Sequence, residues 1–244
     1  MNLLLFDIDG TLLDTGGSGL RALRSAWIEE FDLHDRASEF PPLSLAGSTD
    51  SGIVRTLCHH FRIHEEPEVV SRFYTRYHVH LQVELETRGR GEGRLLPGVT
   101  ELLSRLAAET EAHCLGLLTG NIATGAWTKV ETFGLGGIFE FGAFGDDHHD
   151  RNQLGPVALD RARAHTGRDF SRDRIFIIGD TPKDIRCARA CGAWAIAVAT
   201  GAFTREQLAE HAPDHLFDDF TDAEAFLDAI TLLAARSDRV TSTT

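Results

Sequence analysis

Asp7 and Asp9 stand two residues apart, directly after the apolar run Leu3-Leu4-Leu5-Phe6, in the stretch Asp7-Ile8-Asp9-Gly10-Thr11-Leu12-Leu13. A run of large apolar residues closed by a glycine turn describes a strand covered on both faces, the kind found in a parallel sheet. In an extended chain, side chains i and i+2 share a face, so both carboxylates point the same way. Two acids held together repel unless something positive separates them, and a divalent cation is the simplest candidate. One such carboxylate can attack an electrophilic phosphorus while its neighbour shuttles the leaving group's proton. Gly10 would let the backbone approach the phosphate closely. Taken alone, Asp-x-Asp-Gly is also readable as a plain turn.

Two further apolar segments end in residues that would complete such a site. Leu117-Leu118 runs into Thr119-Gly120-Asn121, where a hydroxyl and the first free amides of a following helix could meet a phosphate, or simply cap that helix. Ile175-Phe176-Ile177-Ile178 runs into Gly179-Asp180-Thr181-Pro182-Lys183-Asp184. Asp180 suits a carboxylate ligand for a hard octahedral cation, and magnesium (Mg2+) fits best, with water and substrate oxygens completing the shell. Asp184 lies one helical turn beyond it and could ligate directly, orient a bound water, or stand as a solvated helix-start acid.

In order along the chain, these three segments resemble motifs I, II and IV of the haloacid dehalogenase (HAD) superfamily. The resemblance spans Met1 to about Leu233 and is closest to cap-bearing hydrolases of the phosphoglycolate phosphatase type, whose tail is similar to Asp-His-Leu-Phe-Asp-Asp at 214–219. It implies an α/β fold, a Rossmann-like parallel sheet core with an inserted α-helical cap. It further implies Mg2+-dependent hydrolysis of a small phosphate monoester, of phosphoglycolate or sugar-phosphate type, through an aspartyl phosphate. On that resemblance Asp7 is the nucleophile and Asp9 the proton donor, then base. Gly10, Thr119, Gly120 and Asn121 hold the phosphate, and Asp7, Asp9, Asp180 and Asp184 form the metal site, Asp9 through its backbone carbonyl.

Motif III of the family expects a lysine, and this chain has only Lys129 and Lys183. Arg151 occupies the segment where that lysine belongs, and an arginine would hold a phosphoryl group by a fork of donors. Arg151 is therefore expected in both catalysis and substrate binding, with Lys183 as the alternative cation. Among relatives in the superfamily, the presence of Asp9 disfavours a haloacid dehalogenase. The lack of a lysine between Leu20 and Arg94 disfavours Schiff-base phosphonoacetaldehyde hydrolysis. A β-phosphoglucomutase-like phosphoryl transferase and a non-catalytic HAD-fold binding protein remain as alternatives.

These residues need a scaffold, and the hydrophobic pattern supplies one. Gly16-Gly17-Ser18-Gly19 reads as a flexible hinge, and Arg88–Gly93 as a second glycine-rich joint. Between them Leu20, Leu23, Trp27 and Phe31 keep helical spacing, as do Ile53, Leu57 and Phe61, with Ser48 or Asp50 as starting caps, and Val69, Phe73 and Tyr77. Residues 16–93 are therefore expected as the helical cap, 1–15 and 94–236 as the α/β core, and 237–244 as a disordered tail. From Leu95 onward helices and strands alternate, with strands at Cys114–Leu118, Phe139–Phe144, Ile175–Ile178, Trp194–Val198 and, at the sheet edge, Asp214–Phe217. Candidate specificity residues in the cap are Arg21, Arg24, Arg55 and the loop 46–50.

Composition fits an enzyme domain. The chain has 244 residues, 42% of them hydrophobic, enough to bury a full core. A net charge of −13 argues against tracking nucleic acid, and no apolar run is long enough to cross a bilayer. The expected partner is a small phosphorylated metabolite, with no nucleic acid or membrane, in a cytoplasmic monomer or dimer. Cys58, Cys114, Cys187 and Cys191 form no metal or disulfide pattern, and packing explains Cys187 and Cys191 better than zinc does. Asp146-Asp147-His148-His149-Asp150 reads as an exposed loop.

Overall fold

The computed structural model describes residues 1–240. At its centre lies β1 (Asn2–Phe6), where Leu3, Leu4, Leu5 and Phe6 have no solvent-exposed surface. The pleat sorts these side chains: Leu4 and Phe6 enter one apolar cluster, and Leu3 and Leu5 enter another on the opposite face. A strand with two buried faces must sit inside a sheet covered by helices on both sides.

The chain leaves β1 through a tight turn into β2 (Leu13–Asp14) and then forms α1 (Ser18–Glu30), α2 (Asp50–Phe61) and α3 (Pro67–Glu84). A π-helical turn at Leu85–Gly89 leads into the short α4 (Arg90–Glu92) and β3 (Arg94–Leu95). β3 pairs antiparallel with β2, Leu13 opposite Leu95 and Asp14 opposite Arg94, so both ends of the helical insertion are tied together. Then follow α5 (Val99–Ala108), β4 (His113–Leu118), α6 (Ala123–Thr132), β5 (Gly142–Ala143), α7 (Leu154–Thr166) and β6 (Ile175–Gly179). The chain finishes with α8 (Pro182–Cys191), β7 (Trp194–Val198), α9 (Arg205–Ala209), β8 (His215–Phe217) and α10 (Ala223–Val240).

The six-stranded sheet has the order β5-β4-β1-β6-β7-β8, with every pairing parallel. Leu102 and Leu103 of α5, Val130 of α6 and Phe226 and Ile230 of α10 cover one face. Leu154, Ala158 and Ala162 of α7 with Ile185 and Ala188 of α8 cover the other. Phe6 pairs with Leu117 of β4 and with Ile178 of β6, so the carboxyl ends of three adjacent strands are level. Ligand sites of open parallel sheets lie beyond this edge.

The helices between β2 and β3 have an apolar cluster of their own. Trp27 of α1 is fully buried, meets Phe73 of α3 edge-on with ring centroids 5.1 Å apart, and shares the cluster with Leu57 and Phe61 of α2. Ile122, from the loop before α6, reaches into the same cluster and joins it to the sheet.

Several expectations need correction. The strand expected over Phe139–Phe144 shrinks to Gly142–Ala143 at the sheet edge, because Phe139 and Phe144 turn into one core cluster and Phe141 into the other. The joint expected at Arg88–Gly93 is largely helical, because continuing α3 buries Leu85 among the insertion's apolar residues. Ser18 and Gly19, placed in the first hinge, already belong to α1. Neither Ser48 nor Asp50 caps α2; Thr49 does, accepting the Gly52 amide at 3.1 Å. α10 continues to Val240, through the first part of the expected disordered tail, and 241–244 lie outside the described residues.

Replacing Trp27 by Ala is expected to cost roughly 3–5 kcal/mol of unfolding free energy, because it empties the centre of a closed aromatic cluster. Leu20→Ala on the same helix, where Leu20 is 41% exposed, should change stability by no more than about 0.5 kcal/mol. Urea denaturation of both variants checks this, and equal losses would contradict the packing described.

Candidate active site

The Asp7 amide donates to the Ile178 carbonyl at 2.9 Å, which prolongs the β1–β6 ladder by one residue and delivers the Asp7 side chain at the sheet's carboxyl edge. Asp180 follows β6 immediately, and its Oδ1 accepts from the Thr11 hydroxyl at 3.1 Å. Asp184 lies in the first turn of α8, where it forms a capping box with Thr181: the Thr181 amide and hydroxyl both donate to Asp184 Oδ2, at 3.0 and 2.6 Å. Asp7, Asp180 and Asp184, all buried, each offer an oxygen within 4.8 Å of the others. The turn after β1 must bring backbone against this group. Gly10 does so at φ +82°, where a Cβ would stand 2.4 Å from Asp180 Oδ2.

One cation answers these acids. Arg151, just before α7, places a guanidinium nitrogen 3.0 Å from Asp7 Oδ2 and 2.5 Å from Asp184 Oδ1, and is itself buried. Three carboxylates against one guanidinium leave two negative charges in excess. Burial accordingly pushes the Asp7 carboxyl up from 3.8 to about 6 although Arg151 and the Thr119 hydroxyl oppose it. Asp180 is raised well above its ordinary value, by burial first and then by Asp184 and Asp7. For Arg151, burial works against the charge, but Asp184 and Asp7 more than offset it and keep the guanidinium protonated. The excess charge, the clustered oxygens and an Asp184 Oδ1 whose one partner is the Arg151 ion pair fit a hard divalent cation.

Asp9 is held apart from this cluster. Its Oδ2 accepts from Lys129 Nζ at 2.6 Å and from Asn121 Nδ2 at 2.8 Å. Asn121 also donates to Thr119 Oγ1 at 2.8 Å, and its Oδ1 accepts from Lys129 at 2.6 Å. The Thr119 hydroxyl also helps to hold down the rise of the Asp7 carboxyl, so Thr119 acts on Asp7 while bonded to Asn121, a partner of Asp9. Sequence reading gave Lys129 no role. The available signal was positional: Lys129 shares the inward face of α6 with Ala126 and Val130, and a lysine there needs a buried partner. The other lysine is engaged elsewhere: Lys183 Nζ donates to Ser48 Oγ at 2.6 Å.

The helical insertion meets these groups chiefly at the loop before α2. Ser48 O lies so near Gly120 that a Cβ there would stand 1.9 Å from it, and the Asp50 amide donates to Gly120 O at 2.7 Å. Asp50 Oδ2 accepts the Ile122 amide at 2.9 Å, the Thr49 hydroxyl donates to His149 O at 2.7 Å, and the Ser51 hydroxyl donates to Gly145 O. Beneath lies a cavity of about 250 Å³ reaching Asp7, Asp9, Thr119 and Lys129, with Leu23 and Tyr77 from the insertion on its wall. The candidate specificity residues Arg21, Arg24 and Arg55 do not line it. Arg21 pairs with Glu84 at 2.7 Å, Arg24 donates to Ala37 O at 2.9 Å, and Arg55 pairs with Glu65 at 3.5 Å. Asp146 and Asp147 are exposed, and their carboxylates accept the Ala123 and Phe144 amides.

Asp50 titrates unusually because burial disfavours its charge; its carboxyl is raised from 3.8 to about 6, with Lys129 and the Ile122 amide opposing and Asp9 and Asp146 adding to the rise. A carboxyl whose folded value exceeds its unfolded value binds protons preferentially in the folded state, so its ionisation removes stability as pH climbs from about 4 to about 6. Asp50→Asn keeps an acceptor for the Ile122 amide and should gain up to about 3 kcal/mol over wild type above pH ~6, a gain that vanishes below pH ~4. Denaturation of both proteins across this range tests the sign.

Comparison with known proteins agrees with this geometry. The HAD-hydrolase-like family profile matches residues 152–223, from the start of α7 to the start of α10. A phosphoglycolate phosphatase of Synechococcus elongatus is 27% identical over 233 residues, covering 96% of this chain and 99% of the relative. A probable phosphatase, IndB, of Dickeya dadantii is 25% identical over 234 residues, 96% of either chain. Among solved structures, a hydrolase from Pseudomonas syringae superposes with a TM-score of 0.65 at 21% identity, over 93% of this chain and 98% of that one, a likeness of fold. With the level strand ends, the aspartate triad and this full-length similarity in hand, the chain carries a HAD-hydrolase-like region and is similar over nearly its whole length to phosphatases of that type.

Proposed function

We propose that this protein is a Mg2+-dependent phosphatase that hydrolyses a small phosphorylated metabolite through an aspartyl phosphate on Asp7. The observation that carries the reading is the placement of Asp7 against Arg151 at 3.0 Å and beside the Asp180–Asp184 pair, on the edge of a cavity of about 250 Å³. Mg2+ held by Asp7, Asp180, Asp184 and the Asp9 backbone carbonyl would keep Asp7 ionised and polarise a phosphoryl oxygen. Arg151, Thr119 and the backbone of Gly10, Gly120 and Asn121 hold the phosphoryl group in line with Asp7. An Asp7 oxygen then bonds phosphorus, the ester P–O bond breaks, and the Asp9 proton passes to the departing alcohol oxygen. Water next gives Asp9 a proton as its oxygen displaces the Asp7 carboxylate from phosphorus, which releases phosphate and restores both acids.

Residues 16–93 serve as a cap over the core formed by 1–15 and 94–236, and the loop at Ser48–Ser51 covers part of the site. The cavity of about 250 Å³ supports a small substrate, and the names of the relatives support phosphoglycolate as the first candidate. Leu23 and Tyr77 on its wall contact the part of the substrate beyond the phosphate.

Asp7→Asn should abolish phosphate release from every substrate of a panel that includes phosphoglycolate and short sugar phosphates. Acid-quenched wild type should carry one phosphoryl group on the Asp7 peptide by mass spectrometry. Full turnover in Asp7→Asn would refute the mechanism, and isomerised sugar phosphate in place of free phosphate would identify a transferase. Chelation by EDTA should stop turnover, and added Mg2+ should restore it. Activity untouched by chelation would exclude the metal.

A further inference from the structure

Lys129 is the most deeply placed lysine of the chain, with a side chain 4% exposed, yet it ends on an acid that is 42% exposed. A surface acid usually moves freely and gains little from an ion pair. Asp9 is different. Its Oδ2 receives two donors at once, Lys129 Nζ at 2.6 Å and Asn121 Nδ2 at 2.8 Å, and those donors are locked to each other by the 2.6 Å bond from Lys129 to Asn121 Oδ1. Neither donor can shift freely, since Lys129 is sheathed on the inner face of α6 and Asn121 also grips Thr119 Oγ1 at 2.8 Å. With its lone pairs used by two N–H groups, Oδ2 is the acceptor side of the carboxyl. Oδ1 is left as the oxygen that can exchange a proton with substrate.

We propose that Lys129, acting with Asn121, is a positioning residue that clamps Asp9 Oδ2 and so fixes Asp9 Oδ1 toward the leaving-group oxygen. This rests on the reading of Asp9 as the proton donor. In the step concerned, an Asp7 oxygen bonds phosphorus, the ester P–O bond breaks, and the proton on Asp9 Oδ1 moves to the alcohol oxygen. The clamp contributes orientation to that transfer. An alkoxide leaving group needs the proton as the bond breaks; a nitrophenolate departs without it.

The test compares kcat/KM for the best alkyl phosphate of the substrate panel with kcat/KM for p-nitrophenyl phosphate, in wild type, Lys129→Met, Asn121→Ala and Asp9→Asn, all with Mg2+ present. Because both esters are assayed on the same preparation, the alkyl-to-aryl ratio is independent of how much of a variant is folded. Lys129→Met should lower the ratio about 10²-fold, Asn121→Ala should lower it by less, and Asp9→Asn should lower it at least as far as Lys129→Met. A ratio unchanged in Lys129→Met while Asp9→Asn lowers it overturns the clamp and leaves the proton donor standing. A ratio unchanged in Asp9→Asn overturns both.

Discussion

The arrangement depends on one buried guanidinium. Arg151 lies between Asp7 and Asp184, at a place where low local polarity makes unpaired charge costly. Without it, three carboxylates would face each other at the end of a hydrophobic sheet, and they would take up protons to relieve the repulsion. With it, part of that repulsion is removed while negative charge remains in excess. The core thus tolerates a buried charge at Asp7 and still suits a bound cation. The sheet makes this possible, because β1, β4 and β6 end in register and helices seal both faces.

Most of this was legible in the sequence because it lies close to strands whose hydrophobicity is unmistakable. Leu3–Phe6, Leu117–Leu118 and Ile175–Ile178 each lead straight into the polar residues they position, so finding the strands located Asp7, Thr119 and Asp180 as well. Arg151 was found through the spacing of a resemblance, and the structure brings it to the carboxylates. Lys129 was not found. It comes from the second turn of a helix, and its partners Asp9 and Asn121 are 120 and 8 residues distant, so the helix face marks Lys129 as inward while no local pattern names its partners. The arginines of the insertion failed for the opposite reason: cationic composition suggested anion contacts, but each finds a carboxylate or carbonyl within its own helical layer.

Boundaries followed the same logic. Hydrophobic periodicity fixed where helices lie but not where they begin, because caps depend on hydroxyls such as Thr49 that carry no periodic signal. Glycine-rich stretches suggested joints, yet Ser18-Gly19 and Arg88–Glu92 are helical, since neighbouring apolar residues gain more from burial than glycine loses from order.

Asp184 serves two masters in a single side chain. One oxygen closes the first turn of α8 by accepting from Thr181, and the other confronts Arg151. Helix initiation and electrostatic balance are therefore inseparable at this position. Glutamate would keep the charge but overshoot the Thr181 amide, and asparagine would keep the reach but surrender the countercharge. Drift toward a sturdier or looser α8 has to proceed through other residues, which leaves the geometry of the aspartate triad insulated from gradual change in the surrounding helices.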